Sequence, residues 1–339
     1  MLRLRREGFY TDIGTLFTLF RYRYIIFIRQ VSFVKYMSIT EASKKWQISD
    51  RRIRILCAEG RVAGAVKIGR NWSIPYEAVK PADARVSHRK AYKGLDYDFS
   101  LIDGMKQKID QHRPFPKRLA DSLHDKLIIE WTYNSNAIEG NTLTLSETKV
   151  VLDGITIGGK SVIEHLEAIN HREAIFFLED LIGNNDSLSE WNIKCIHGLI
   201  LKEIDNQNAG KYRTENVVTL GAVHIPPKHY EINLLMQNLI MEYKEEWHSF
   251  HPIVRATLLH GEFVKIHPFV DGNGRTSRLL LNFELMKNGY TPIIIKKENR
   301  VRYYEVLDHA HTTMDYQPFL EFVAESVIES EQLWLSLLE

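Results

Sequence analysis

Cysteine is nearly absent: Cys57 and Cys195 are the only two in 339 residues. They are too few and too far apart for a disulfide scaffold or a thiolate zinc site, and a reducing compartment suits them. Neither sign of charge dominates, since 44 Lys and Arg against 43 Asp and Glu leave +1. No global field then draws the chain to nucleic acid or membrane, and any such binding must be local. Long apolar runs are missing too. The first 36 residues are basic and aromatic, but Arg21, Arg23 and Arg29 keep every run below the roughly 18 residues that span a bilayer. The same arginines spoil the apolar core of about 7–15 residues that a secretory signal needs. The sequence therefore predicts a cytoplasmic protein with no membrane partner. Met37 opens a more ordinary globular sequence, which points to a translation start there; an amphipathic segment lying on a membrane surface is the alternative reading of 1–36. Fourteen histidines invite a metal reading, yet none falls in a His-Glu-x-x-His pair, and no structural metal is expected. Repeats and low-complexity tracts are absent as well.

What is present begins with a small basic unit at 37–82. Residues 38–46 and 49–59 read as two short helices, the second opened by Ser49-Asp50 and closed by Gly60. Residues 66–75 read as a β-wing. This pattern resembles the winged helix-turn-helix of excisionases and related regulators. Nine basic against four acidic residues give the unit +5, with Arg51, Arg52 and Arg54 where base or phosphate contacts would fall. DNA is the partner this implies, and docking to another protein is the alternative. Residues 83–94, polar and basic, read as a linker.

From residue 95 the periodicity is helical, with helices predicted over 119–136, 146–152, 162–181, 189–201 and 253–266. The densest chemistry follows the last of these. From His267 to Arg278 the chain reads His-Pro-Phe-Val-Asp-Gly-Asn-Gly-Arg-Thr-Ser-Arg, and the apolar residues from Leu279 onward continue as a helix. Gly272 and Gly274 let backbone N–H groups turn inward at a helix N-terminus, which makes an anion nest. Arg275 and Arg278 share a helix face and can grip separate phosphates. Asp271 is a hard oxygen ligand suited to Mg²⁺, and His267 can accept a proton near neutrality. The segment follows no strand and lacks a Gly-Lys-Ser/Thr continuation, so neither a dinucleotide fingerprint nor a P-loop describes it.

These twelve residues resemble the signature of Fic-domain proteins, His-Pro-Phe-x-Asp/Glu-Gly-Asn-Gly-Arg-x-x-Arg, at every fixed position. The resemblance, which covers about 95–335, implies a mainly α fold: a helical bundle with a β-hairpin flap, preceded here by the winged helix-turn-helix-like unit. It also implies transfer of AMP from ATP to a hydroxyl side chain of a target protein. His267 would be the general base and Asp271 the Mg²⁺ ligand. Asn273 and Arg275 would position the α- and β-phosphates and Arg278 the γ-phosphate, with Gly272, Gly274, Thr276 and Ser277 completing the nucleotide site. Gly274 favours nucleotidyl transfer, because the phosphorylating Doc-like branch departs from glycine there.

Upstream, Ser135-Asn136-Ala137-Ile138-Glu139-Gly140 resembles the family's inhibitory pattern, Ser/Thr-x-x-x-Glu-Gly/Asn. Ser135 and Glu139 would share a helix face, and Glu139 would pair with Arg278 and occupy the γ-phosphate clamp. In some relatives the same glutamate is linked to AMP removal, so a reverse activity is a further expectation. Residues 210–227 alternate and turn like a hairpin ended by Pro226-Pro227. Such a flap would align a target Ser, Thr or Tyr segment by strand addition, with its Val223 and His224 among the expected nucleotide contacts. Tyr303 and Tyr304 resemble an adenine-pocket pair, while His311 appears where relatives carry asparagine. The organisation expected is an extension over 1–36, the small unit 37–82, a linker 83–94, a helical region with the inhibitory helix over 95–190, and a catalytic core over 191–339. The principal alternative is a DNA-binding transcription regulator whose core only senses nucleotide. Transfer of another phosphate-containing group and a homodimer stay open.

Overall fold

The structure is a computed structural model and describes residues 35–58, 60–81, 95–219 and 221–338. The expectations for 1–36 and for the linker 83–94 therefore lie outside the described residues, Lys35 and Tyr36 apart. The chain divides into two units, 1–81 and 82–339.

In the first unit, β1 (Tyr36–Met37) leads into α1 (Ile39–Trp46) and α2 (Asp50–Ala58), then β2 (Val66–Ile68) and β3 (Asn71–Pro75). Ser38 and Glu41 form a capping box that starts α1. β2 and β3 pair antiparallel through a turn that Gly69 enters at φ 60°, and β1 adds to the far side of β3. Met37, Ala42, Trp46, Ile53, Leu56 and Ile74 make its core.

The second unit is helical. Its elements are α3 (Ser100–Gln111), α4 (Lys117–Ile138), α5 (Leu145–Leu152), α6 (Val162–Gly183), α7 (Glu190–Ile200), α8 (Ile232–Met241), α9 (Pro252–Ile266), α10 (Asn273–Lys287), α11 (Arg300–Thr313) and α12 (Gln317–Leu338). α9 and α10 are buried on most sides and lie at the centre. Leu258, Leu259, Phe263, Leu279, Leu280 and Phe283 are fully buried there, each contributing about 1.5–3 kcal/mol. Residues 95–190 and 191–339 share this one core, which takes in Ile102 of α3 as well as Val327 of α12. Capping boxes at Thr144–Glu147 and Ser161–Glu164 fix the starts of α5 and α6. No helix among the described residues is long and apolar enough to cross a membrane.

One expectation needs correcting. No strand forms between 210 and 227 among the described residues. The segment is an irregular loop because its polar groups find partners elsewhere. Asp308 Oδ1 of α11 accepts the N–H groups of both Val223 and His224 at 3.0 Å, and the His224 ring meets the Lys265 carbonyl at 3.0 Å. A ladder would have used those N–H groups internally.

Candidate active site

α9 ends at His267, whose backbone turns left-handed (φ 50°, ψ 59°), and the chain doubles back to Gly272 (φ 74°), which opens α10. A side chain at 272 would combine that strained φ with contact 3.2 Å from Ile200, so glycine is required there. Asn273 closes the loop. Its side-chain carbonyl accepts from Phe269 N–H at 3.0 Å and its amide donates to the Phe269 carbonyl at 2.9 Å. Below it, His197 Nδ1 accepts from Gly210 N–H and Nε2 donates to the Asp271 carbonyl, both at 2.9 Å. That pairing fixes a neutral tautomer, and burial pulls the pKa down to about 4.

The His267 ring is held by the Val264 carbonyl, which leaves its other nitrogen as an acceptor. Burial, then the nearby Arg213, lower its pKa to about 4, so the imidazole is neutral at physiological pH. Arg213 also fixes the base from behind, donating from Nε to the His267 carbonyl at 2.9 Å.

Both arginines are more than nine-tenths buried. Arg275 donates to Glu167 Oε1 of α6 at 2.9 Å and to Asp271 Oδ2 at 3.3 Å, while the Asp271 side chain stays 70 % exposed. Arg278 donates from Nε to Ser135 Oγ at 3.0 Å, and from Nη2 to the Ser135 carbonyl and Glu139 Oε1, each at 2.8 Å. The expected Glu139–Arg278 pair is therefore formed. Burial opposes the charge on Arg278, but Glu139 and then Tyr303 outweigh it and raise its pKa above the usual value. Nη1 has no hydrogen bond.

Glu139 itself caps α4, one residue beyond its last turn, and Gly140 follows at φ 105°. Its carboxylate reaches the N-terminus of α10, which has no side-chain cap of its own. Free N–H groups and the helix dipole favour an anion there, and the Glu139 carboxylate is the anion beside it. Gly274 makes room for it. A Cβ at 274 would intrude on Glu139 Oε1 and lie 3.1 Å from Arg278 Nη1.

Several expected nucleotide contacts are placed differently. Asn273 is bonded to the loop backbone at both ends of its amide, which shapes the loop and leaves its second Nδ2 hydrogen as the only donor for a phosphate. Thr276 and Ser277 are fully buried, and the Ser277 hydroxyl donates to the Gly274 carbonyl and meets His260 at 3.1 Å. Tyr303 is 1 % exposed with its hydroxyl against His260 at 2.8 Å, backing Arg278, whereas Tyr304 is 39 % exposed and offers a ring face. Val223 is exposed on the flap, and His311 is held by the Gly261 carbonyl at 3.0 Å, edge-on to His224. Glu167, His197, Arg213 and Asp308 were not singled out as site residues from the sequence. Arg213 follows Gly210-Lys211-Tyr212 in a stretch that reads as hairpin, and the others carry no local signal at all.

Residues 187–285 match the family model described as Fic/DOC family. A Fic domain containing signaling protein from Bacteroides thetaiotaomicron is 30 % identical, with a TM-score of 0.65 covering 70 % of this chain and 97 % of that one. The chain belongs to the Fic/DOC family. Fic-1 from C. elegans is similar to it as well, at 30 % identity and a TM-score of 0.64 covering 74 % of each chain. Among curated proteins, the protein adenylyltransferase Fic of Aedes aegypti is 33 % identical over 74 % of this chain and 52 % of that protein. That of Drosophila melanogaster is 38 % identical over 60 % of this chain and 41 % of that protein. The chain thus spans about half the length of the curated Fic relatives it matches.

Proposed function

We propose that this Fic protein transfers AMP from ATP to a Ser, Thr or Tyr hydroxyl of a target protein and is held off by Glu139. The observation that carries the reading is Arg278, buried and gripped by Ser135, with its last ligand a carboxylate that sits at an uncapped helix N-terminus. That is an anion site filled by the chain's own anion. Removal of Glu139 leaves the guanidinium for a terminal phosphate, and the α10 N–H groups beside Gly274 for the inner phosphates.

With nucleotide in place, His267 takes the proton from the attacking hydroxyl, which its neutral form permits. The α10 N-terminus and Arg275 stabilise the charge that develops on the α-phosphate as pyrophosphate leaves. Mg²⁺ fits the exposed Asp271 carboxylate, since this ion binds through one or two carboxylates plus phosphates and waters. Bound there, it would neutralise phosphate charge. Tyr304 offers the adenine a ring to rest on, and the flap offers the target a rim. We assign the reaction to the cytoplasm.

The test uses the full chain, Glu139→Gly, and Glu139→Gly/His267→Ala with α-labelled ATP and Mg²⁺. Label on the protein itself or on lysate proteins should rise in the single variant and vanish in the double one; no label in any of the three sinks the reading. Incubation of labelled target with Mg²⁺ and the wild type reads AMP removal.

A DNA-binding regulator is the second reading, favoured by exposed Arg51, Arg54, Lys44, Lys67 and Arg70 on a two-helix and hairpin unit. Salt-dependent, sequence-specific retention of duplex DNA by the full chain, lost in Arg51→Ala/Arg54→Ala, with a silent active site, would favour it.

A further inference from the structure

A cavity of about 100 Å³ lies beside the catalytic base, between the flap and the face formed by α8 and α9. Its walls include His224 and Pro227 of the flap, and Lys265 and Ile266, the two residues before His267. Two carboxylates, Glu242 and Glu262, line it, and it is large enough for an extended side chain where a single water would need far less.

The two acids differ. Glu262 accepts from the Tyr316 hydroxyl at 2.5 Å and faces Lys265 at 3.7 Å, so its charge is answered. Glu242 sits on a π-helical turn, Glu242–Glu246, is 5 % exposed, and its carboxylate has no hydrogen-bond partner among the described residues. Burial, then repulsion from Glu262 and Glu246, push its pKa up to about 8. A cation entering the cavity would lower that pKa again and take up the carboxylate's empty acceptor sites. π-turns recur at functional sites.

We propose that this cavity is a specificity pocket that takes a lysine or arginine side chain of the target protein, with Glu242 as its anchor. The inference rests on the transfer reading above. The cavity adjoins His267 through Ile266 and is roofed by the flap, so a cation anchored on Glu242 sets which neighbouring hydroxyl reaches the base. Lys265 does not compete, because it already answers Glu262 and lies against Met314. Glu242 is a specificity residue and touches none of the reacting atoms.

The experiment uses the full chain carrying Glu139→Gly and peptides with one Ser or Thr, in which lysine or its neutral isostere norleucine is placed at each neighbouring offset. Labelling should favour lysine over norleucine at one or two offsets by roughly ten- to a hundredfold, the worth of one charge-assisted bond. Glu242→Gln should collapse that ratio towards one, and Glu242→Asp should restore part of it. A flat offset profile, or a preference that survives Glu242→Gln, overturns the proposal. Hydroxyl-free lysine peptides provide a readout independent of chemistry. Binding to the parent that weakens in Glu242→Gln upholds the pocket even where transfer fails, and equal or absent binding removes it.

Discussion

Replacing Glu139 by glycine tests whether inhibition is competition for one guanidinium. Breaking a fully buried pair by removing one partner costs about 3–5 kcal/mol. Here Arg278 is buried but the Glu139 side chain is 32 % exposed, and Ser135 continues to accept from Nε and Nη2. The loss should therefore be about 1–3 kcal/mol. Glu139 lies just past the last turn of α4, so glycine adds little helix penalty of its own. At about 2–4 °C per kcal/mol for a unit of this size, the melting temperature without nucleotide should fall by roughly 2–12 °C. The same free energy is what ATP must overcome to displace Glu139 in the wild type. ATP with Mg²⁺ should consequently bind the variant about five- to 150-fold more tightly by calorimetric titration. Glu139→Gln, which keeps an acceptor oxygen and loses the charge, should fall between the two. Equal ATP affinity in wild type and Glu139→Gly, or an unchanged melting temperature, refutes the competition.

Gly274→Ala should lower stability by about 1–2 kcal/mol through its clash with Glu139, and by clearly less in a Glu139→Gly background; denaturant titration of the four-protein cycle reads the coupling. Asn273→Ala removes both bonds to the Phe269 backbone and should cost about 2–3 kcal/mol and reduce transfer to background, measured by urea midpoint and labelling. Acid should destabilise the fold. Burial holds His197, His267 and His311 at about 4, so the unfolded chain binds more protons than the native one below its own histidine pKa near 6.5. Stability should be intact above about pH 6.5 and fall steadily from there to about pH 4, by on the order of 3 kcal/mol for each of the well-buried His197 and His311. An urea midpoint that is flat from pH 7 to 5 would contradict it.

Much of the site was legible because its chemistry is contiguous. Twelve residues from His267 to Arg278 contain the histidine, the acid, both glycines and both arginines, and local spacing alone put them at a loop opening a helix. Glu139 was legible through the resemblance of residues 135–140 to the family's inhibitory pattern, with which its four-residue spacing from Ser135 agrees. Glu167 was not, because what aims it at Arg275 is the packing of α6 against α10, and nothing in the sequence around it differs from a solvated helix face. The Tyr303-Tyr304 pair was read as two pocket residues, yet helical rotation of about 100° per residue sends one into the core and one outward. The flap misled for a related reason. Alternation predicts a ladder only when no better acceptor is near, and Asp308, distant in sequence, is nearer than a partner strand. Helices were the easiest part, since the apolar stripes of α9 and α10 are long enough to leave no other reading.

If Glu139 inhibits as proposed, its position at the tip of α4 sets how tight the off-state can be. Ser135 bonds Arg278 from within the helix, independently of the Glu139 carboxylate, so on the proposed reading the clamp is preassembled and one terminal side chain separates silence from activity. Swinging that side chain away breaks no helical ladder and is as fast as the fraying of a helix end. A pair worth about 1–3 kcal/mol leaves the open form populated on the order of 1–10 % of the time. The unmodified protein should thus leak at a steady low rate, and a binding partner that merely tilts the last turn of α4 would act as a dimmer more than as a switch.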